Sequence, residues 1–141
     1  MNCGKYLSAR AGPGWLLLGV GLVVLAGCDS GPKRHHVSGQ VVYDGKPVPV
    51  GEIYFDPDVT RGHDGPQGFA RIKDGRYDTR QGGLPVTAGP HIVRIQGFDG
   101  QPGPEQPLGR RLFEEYKKPA DIPAQDNATL DFEVPARGSA R

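Results

Sequence analysis

The sequence predicts an all-β fold, a single β-sandwich of about seven strands. Three observations predict it. Short runs of β-branched and aromatic residues alternate apolar and polar with period 2, as half-buried strands do. Turn signals separate these runs about every 8–12 residues. Gly and Pro together make 22 + 14 = 36 of 141 residues, about twice their ordinary share. Spread between strand-like runs, they read as turns rather than as disorder.

Ahead of the strands lies a leader. Residues 1–14 carry Lys5 and Arg10 and no acid, and Trp15 to Leu25 is almost wholly apolar. The apolar block is too short to cross a hydrocarbon core as a helix, which needs about 20 residues. A basic start, a short apolar block and the small pair Ala26-Gly27 give the pattern of a secretory signal peptide. The expected division is 1–27 signal peptide, 28–36 tether, 37–134 β-sandwich and 135–141 tail.

Removing residues 1–27 leaves 141 − 27 = 114 residues, enough for one domain. That part holds all 16 acidic and 15 of the 17 basic residues, a net charge of 15 − 16 = −1. A balanced surface gives no basic footprint for nucleic acid. Cys3 leaves with the leader, so Cys28 is the only remaining thiol. No disulfide can staple the domain, and its apolar core must hold it.

The elements follow in order. Residues 29–36 are polar, contain Gly31-Pro32 and show no apolar period. In Val37–Tyr43 the residues Val37, Gly39, Val41 and Tyr43 share one face. Asp44-Gly45 makes a tight turn, since Gly takes φ > 0 at no steric cost. Pro47-Val48-Pro49 fits a sheet edge. Gly51–Phe55 is a strand with Ile53 and Phe55 inward and Glu52 and Tyr54 outward. Residues 56–66 form a loop, and Gly68–Lys73 a strand with Ala70 and Ile72 inward. Asp74-Gly75 turns into Arg76–Thr79, the clearest hairpin signal in the chain. A loop over 81–90 leads to the strand His91–Gln96, with His91, Val93 and Ile95 on one face. Residues 97–109, with four Gly and three Pro, read as an exposed, mobile loop. Leu108, Leu112 and Tyr116 lie four apart, which suggests a turn or two of helix ending before Pro119. Asp121–Gln125 reads as a short edge strand. Ala128–Val134 closes the domain with Leu130, Phe132 and Val134 inward.

Two resemblances add to this reading. Leu25-Ala26-Gly27-Cys28 resembles the lipobox of bacterial lipoproteins. The resemblance implies a diacylglyceryl thioether on Cys28, cleavage before it and acylation of the new amino terminus. Two or three acyl chains anchor stably, because each buried methylene contributes about 0.8 kcal/mol and one chain alone is marginal. The implied location is the bacterial cell envelope, facing the periplasm or the exterior. The second resemblance begins at Val37-Ser38-Gly39-Gln40-Val41-Val42-Tyr43-Asp44-Gly45-Lys46-Pro47-Val48. It continues through Ile53–Pro57, Ile72–Tyr77, Ala88–Val93 and Leu130–Val134. This order resembles carboxypeptidase regulatory-like domains, which are transthyretin-like sandwiches. The resemblance implies a non-catalytic accessory module and supplies no catalytic residues. His91 and the long loop over 97–109 depart from it.

Candidate sites are few. Asp56, Asp58 and Thr60 at alternate positions open like a calcium loop, but Arg61 replaces the turn Gly and Gln67 the closing Glu. A transition-metal reading uses His63 with Asp56, Asp58 or Asp64 and needs the loop to fold back. Asp and Gly are also what an ordinary turn selects. Tyr54 and Phe69 are expected outward on neighbouring strands, where they make a small platform for a sugar. The competing expectation is that they pack against other parts of the fold. No serine of the region beyond Cys28 sits on a nucleophile elbow. The sequence therefore points to a non-enzymatic structural or adhesive envelope module without a cofactor. Its partners would be the membrane and an envelope protein or glycan. A sugar- or metal-binding protein is the alternative.

Overall fold

The computed structural model describes residues 31–136. The leader, Cys28 and residues 137–141 lie outside the described residues. Eleven short strands occur in order: β1 (Arg34–His35), β2 (Val37–Tyr43), β3 (Lys46–Pro47), β4 (Val50–Pro57), β5 (Gly68–Lys73), β6 (Arg76–Asp78), β7 (Val86–Thr87), β8 (Gly89–Phe98), β9 (Tyr116–Ile122), β10 (Ala128–Thr129) and β11 (Phe132–Val134). The helical content of the described residues is one 3₁₀ turn, Val59–Arg61. The fold is all-β.

Seven strands form the main path, β10-β2-β6-β5-β4-β8-β9. All its pairings are antiparallel except β10 with β2. The second half of β2 turns to new partners, β3 and the parallel β11. That change of partner curls the sheet over its own inner face. Phe55 of β4 and Phe132 of β11, a strand off this path, have rings 6.5 Å apart across the core. The buried cluster takes Val37 and Val41 from β2, Ile53 and Phe55 from β4, Ile72 from β5, and Val93 and Ile95 from β8. Each such side chain contributes about 1.5–3 kcal/mol when removed from water. This burial takes the place of cross-links in a domain whose sequence leaves it none.

Two hairpins set the register. Asp44-Gly45 and Asp74-Gly75 both carry positive φ at both residues. This is the type I′ turn, whose twist matches the flanking strands. Gly39 meets a different demand. A β-carbon on it would overlap the Leu130 carbonyl oxygen, so only glycine lets the closing segment lie against β2.

The strand directions define two ends. The chain enters at a proximal end, with β1, the 58–67 loop and the 79–88 connection. The distal end carries both Asp-Gly turns and the 99–111 loop.

Several expectations are corrected. Among the described residues the first strand starts at Arg34 rather than Val37, because β1 pairs with β7. The helix expected around Leu108–Tyr116 is absent. Phe113 is buried, Leu112 packs on the core from a bend over 112–114, and Tyr116 packs on it while opening β9. The expected edge strand at 121–125 is in fact β9, which includes Pro119. An edge strand tolerates Pro because only one side carries ladder bonds. The closing strand is broken at Leu130-Asp131 into β10 and β11. The 97–109 loop is tied at its neck by Asp99 N–H to Arg110 O (2.9 Å) and Gly100 N–H to Leu108 O (3.1 Å). The Asp99 carboxylate accepts from the backbone N–H groups of Gln101 and Arg110, each at 3.0 Å. It is a compact Ω-type loop.

Candidate functional site

Alternation along each strand sends one set of side chains into the core and the other to the outer face of β5, β4, β8 and β9. On that face one cross-strand row is continuous. Leu84 bridges to Phe69, Phe69 pairs with Tyr54, Tyr54 with Arg94, and Arg94 with Lys117. Four spacings of about 4.8 Å make the row roughly 19 Å wide. Its apolar end is a stripe of three. The Tyr54 and Phe69 rings lie 5.2 Å apart and tilted. Leu84 is 51% exposed. The expected platform residues are therefore brought together on the outer face.

Polar groups surround the rings in fixed positions. The Tyr54 hydroxyl donates to Glu52 Oε2 at 2.7 Å. That hydrogen bond, with burial adding to it, pushes the phenol pKa up to about 12. The Arg94 guanidinium lies over the Tyr54 ring, 5.0 Å from its centre. It bridges Asp56 through Nε and Nη2 and reaches Glu115 Oε2 through Nη1 at 3.2 Å. Gln96 donates to Glu115 Oε2 at 2.9 Å, and Gln67 to Asp56 Oδ1. Partial burial opposes the charge on Asp56, but hydrogen bonds from Arg94 and Gln67 outweigh it and hold the carboxyl below its ordinary range. The Gln96 hydrogen bond leads in lowering Glu115. Arg94 is raised, chiefly by its bond to Asp56.

Above this row the face continues into a cleft of about 430 Å³. The sheet supplies Val50, Glu52, Arg71 and Lys73, and the distal loop supplies Gly100 and Leu108.

The residues expected around a metal are dispersed among other tasks. Asp56 is held by Arg94 and Gln67. Asp58 caps the 3₁₀ turn, accepting from Thr60 Oγ1 at 2.6 Å and Thr60 N at 3.0 Å. The Thr60 hydroxyl leads in lowering its carboxyl. His63 turns inward to Thr87 and His91, and Asp64 is exposed. Among the described residues no group of three or more His, Cys, Asp or Glu is placed to hold a metal.

His63 takes part in a short relay instead. Its Nε2 lies 3.2 Å from Thr87 Oγ1, which lies 3.3 Å from His91 Nε2. His91 Nδ1 lies 3.0 Å from the Gly89 carbonyl. One proton assignment satisfies all three contacts: His63 donates to Thr87, Thr87 to neutral His91, and His91 to Gly89. His91 is fully buried, as expected of a core histidine, and burial pushes its pKa below the ordinary value.

Arg94 and Gln96 were legible as the outward partners of Val93 and Ile95. Leu84 was not, because it lies in a loop segment without period, nor was Glu115, which the sequence placed in an expected helix. No family model, no curated protein and no solved structure matches the chain.

Proposed function

We propose that the chain is an exported bacterial lipoprotein whose β-domain serves as a non-enzymatic structural or adhesive module of the cell envelope. The observation that carries this reading is the position of Cys28. It closes an apolar block of signal-peptide length, and the first strand of the described residues begins at Arg34. Only residues 29–33 stand between them, a spacer that spans at most about 20 Å. An acylated Cys28 would keep the domain near a bilayer. Loops on a rigid scaffold are where binding surfaces ordinarily sit. The likeness to carboxypeptidase regulatory-like domains over 37–134 supports the same reading, since it implies an accessory module rather than a catalyst.

The test is membrane fractionation of the wild type beside Cys28→Ala. The reading expects wild-type protein in the membrane fraction, released by detergent and not by high salt. It expects the variant to remain unprocessed. Identical fractionation and processing of the two proteins would overturn it.

A further inference from the structure

The outer face of β5, β4 and β8 combines three properties that together select a class of ligand. The first is the apolar stripe Leu84–Phe69–Tyr54, with Phe69 and Tyr54 on paired strands and Leu84 on the connection that bridges to β5. The second is a rim of planar polar groups already locked in place. Asp56, Arg94, Gln96 and Glu115 hold one another by hydrogen bonds, and Glu52 is held by the Tyr54 hydroxyl. An ionised carboxylate has about four lone-pair sites, so these acids keep acceptor capacity after pairing. A ligand that meets them has little side-chain freedom to freeze. The third is charge balance. Across the row and the adjoining cleft, Arg71, Lys73, Arg94 and Lys117 face Glu52, Asp56, Glu115, Asp74 and Asp99. Four cations against five carboxylates leave 4 − 5 = −1.

We infer that this face is a binding site for a neutral glycan chain. A sugar ring has an apolar face of C–H groups and a rim of hydroxyls, each a donor and an acceptor. The stripe matches the ring face, and a rim carrying both carboxylates and cations matches hydroxyls that donate and accept. A polyanion such as nucleic acid needs an excess of cations, which this face lacks. A broad apolar partner would bury the paired charges and incur their desolvation. The site is also elongated. Phe69, Arg71 and Lys73 lie at alternate positions of β5, so the row and the cleft together extend about 14 Å along one strand. The Glu52–Arg71 pair, the next outward pair after Tyr54–Phe69, lines the cleft where it adjoins the row. The shape suits several linked sugars rather than one. This site does not depend on acylation of Cys28, so failure of either proposal leaves the other standing.

The experiment is calorimetric titration of the full chain in non-ionic detergent. The probes are neutral β-1,4-linked hexasaccharides of glucose, mannose and N-acetylglucosamine, with a hexasaccharide of galacturonate as the acidic comparison. Saturable binding of at least one neutral probe is expected, with the acidic probe bound at least about tenfold more weakly. Phe69→Ala and Leu84→Ser are each expected to weaken binding about tenfold, a loss of about 1.4 kcal/mol. Val59→Ser, at the proximal 3₁₀ turn, is expected to bind as wild type. Thermal melting accompanies each variant. If Phe69→Ala is unfolded, Leu84→Ser decides, because Leu84 is exposed in a connection between strands. No binding of any neutral probe, equal binding of the acidic probe, or wild-type affinity in Leu84→Ser would each overturn the inference.

Discussion

The Tyr77 hydroxyl donates to the carbonyl oxygen of Leu130 at 2.6 Å. It joins β6 to the break between β10 and β11, and its ring packs against Phe55 and Phe132, with centres 6.0 and 6.3 Å away. This single side chain fastens the closing segment to the sheet and fills the core behind it. Burial pushes its phenol pKa far up, so it remains a donor at any working pH. Tyr77→Phe keeps the ring and leaves the Leu130 carbonyl without that donor. The expected cost is about 1–2 kcal/mol, or a melting midpoint lower by about 4–8 °C per kcal/mol. Thermal denaturation followed by circular dichroism checks it.

Gly39 and Gly45 should separate two reasons for glycine. A β-carbon on Gly39 collides with the Leu130 carbonyl, whereas one on Gly45 meets nothing within 4 Å but sits at φ 71°. Gly39→Ala must displace backbone and should cost about 3 kcal/mol or more. Gly45→Ala carries only the left-handed penalty, about 1–2 kcal/mol. Urea denaturation of both variants measures the difference, and equal losses would contradict this explanation.

The exposed edge of the main path is β9, and it is guarded. Lys117, Lys118 and Pro119 stand in its middle, all exposed. Charge and a missing donor are the ordinary means of stopping edge-to-edge pairing. Replacing Lys118 and Pro119 together by Val should promote self-association, visible as a concentration-dependent rise in sedimentation coefficient.

His91 gives the fold a pH dependence of definite sign. Burial lowers its folded pKa below the ordinary value near 6.5. The unfolded chain therefore binds the proton first as pH falls. The stability from neutral His91 is fully present above about pH 6.5 and is lost progressively as pH falls toward the folded pKa. The lowered carboxylates Asp56, Asp58, Asp99, Glu115 and Asp126 lose their contributions at lower pH, through and below about 4. Between pH 7.5 and 5.5 the wild type should lose stability more steeply than His91→Leu, whatever the variant's baseline. Melting curves across that range check it.

What was legible in the sequence depended on local rules. Period 2 places Ile53, Phe55, Ala70 and Ile72 inward because alternation is a property of the strand itself. Both Asp-Gly turns were readable for the same reason, since two residues carry the whole signal. Tyr54 and Phe69 followed from that alternation once their strands were placed side by side. The rest depended on pairing. Arg34-His35 is a strand only because Val86-Thr87 lies beside it. Leu112 and Tyr116 have helical spacing, but Leu112 meets the core from a bend and β8 recruits Tyr116 into an edge strand. The Asp56–Arg94–Glu115 network joins residues 38 and 21 positions apart, and no spacing rule connects them. The loop acids read as metal ligands because Asp58 and Asp56 look alike in sequence. The fold gives one a capping task and the other an ion pair.

The account rests most heavily on Cys28, and intact mass spectrometry of the membrane-extracted protein tests it most directly. The account predicts a chain that begins at Cys28 and carries added mass equal to two or three acyl chains with their glycerol, absent from Cys28→Ala. A mature protein of unmodified mass, or one that begins elsewhere, would contradict it.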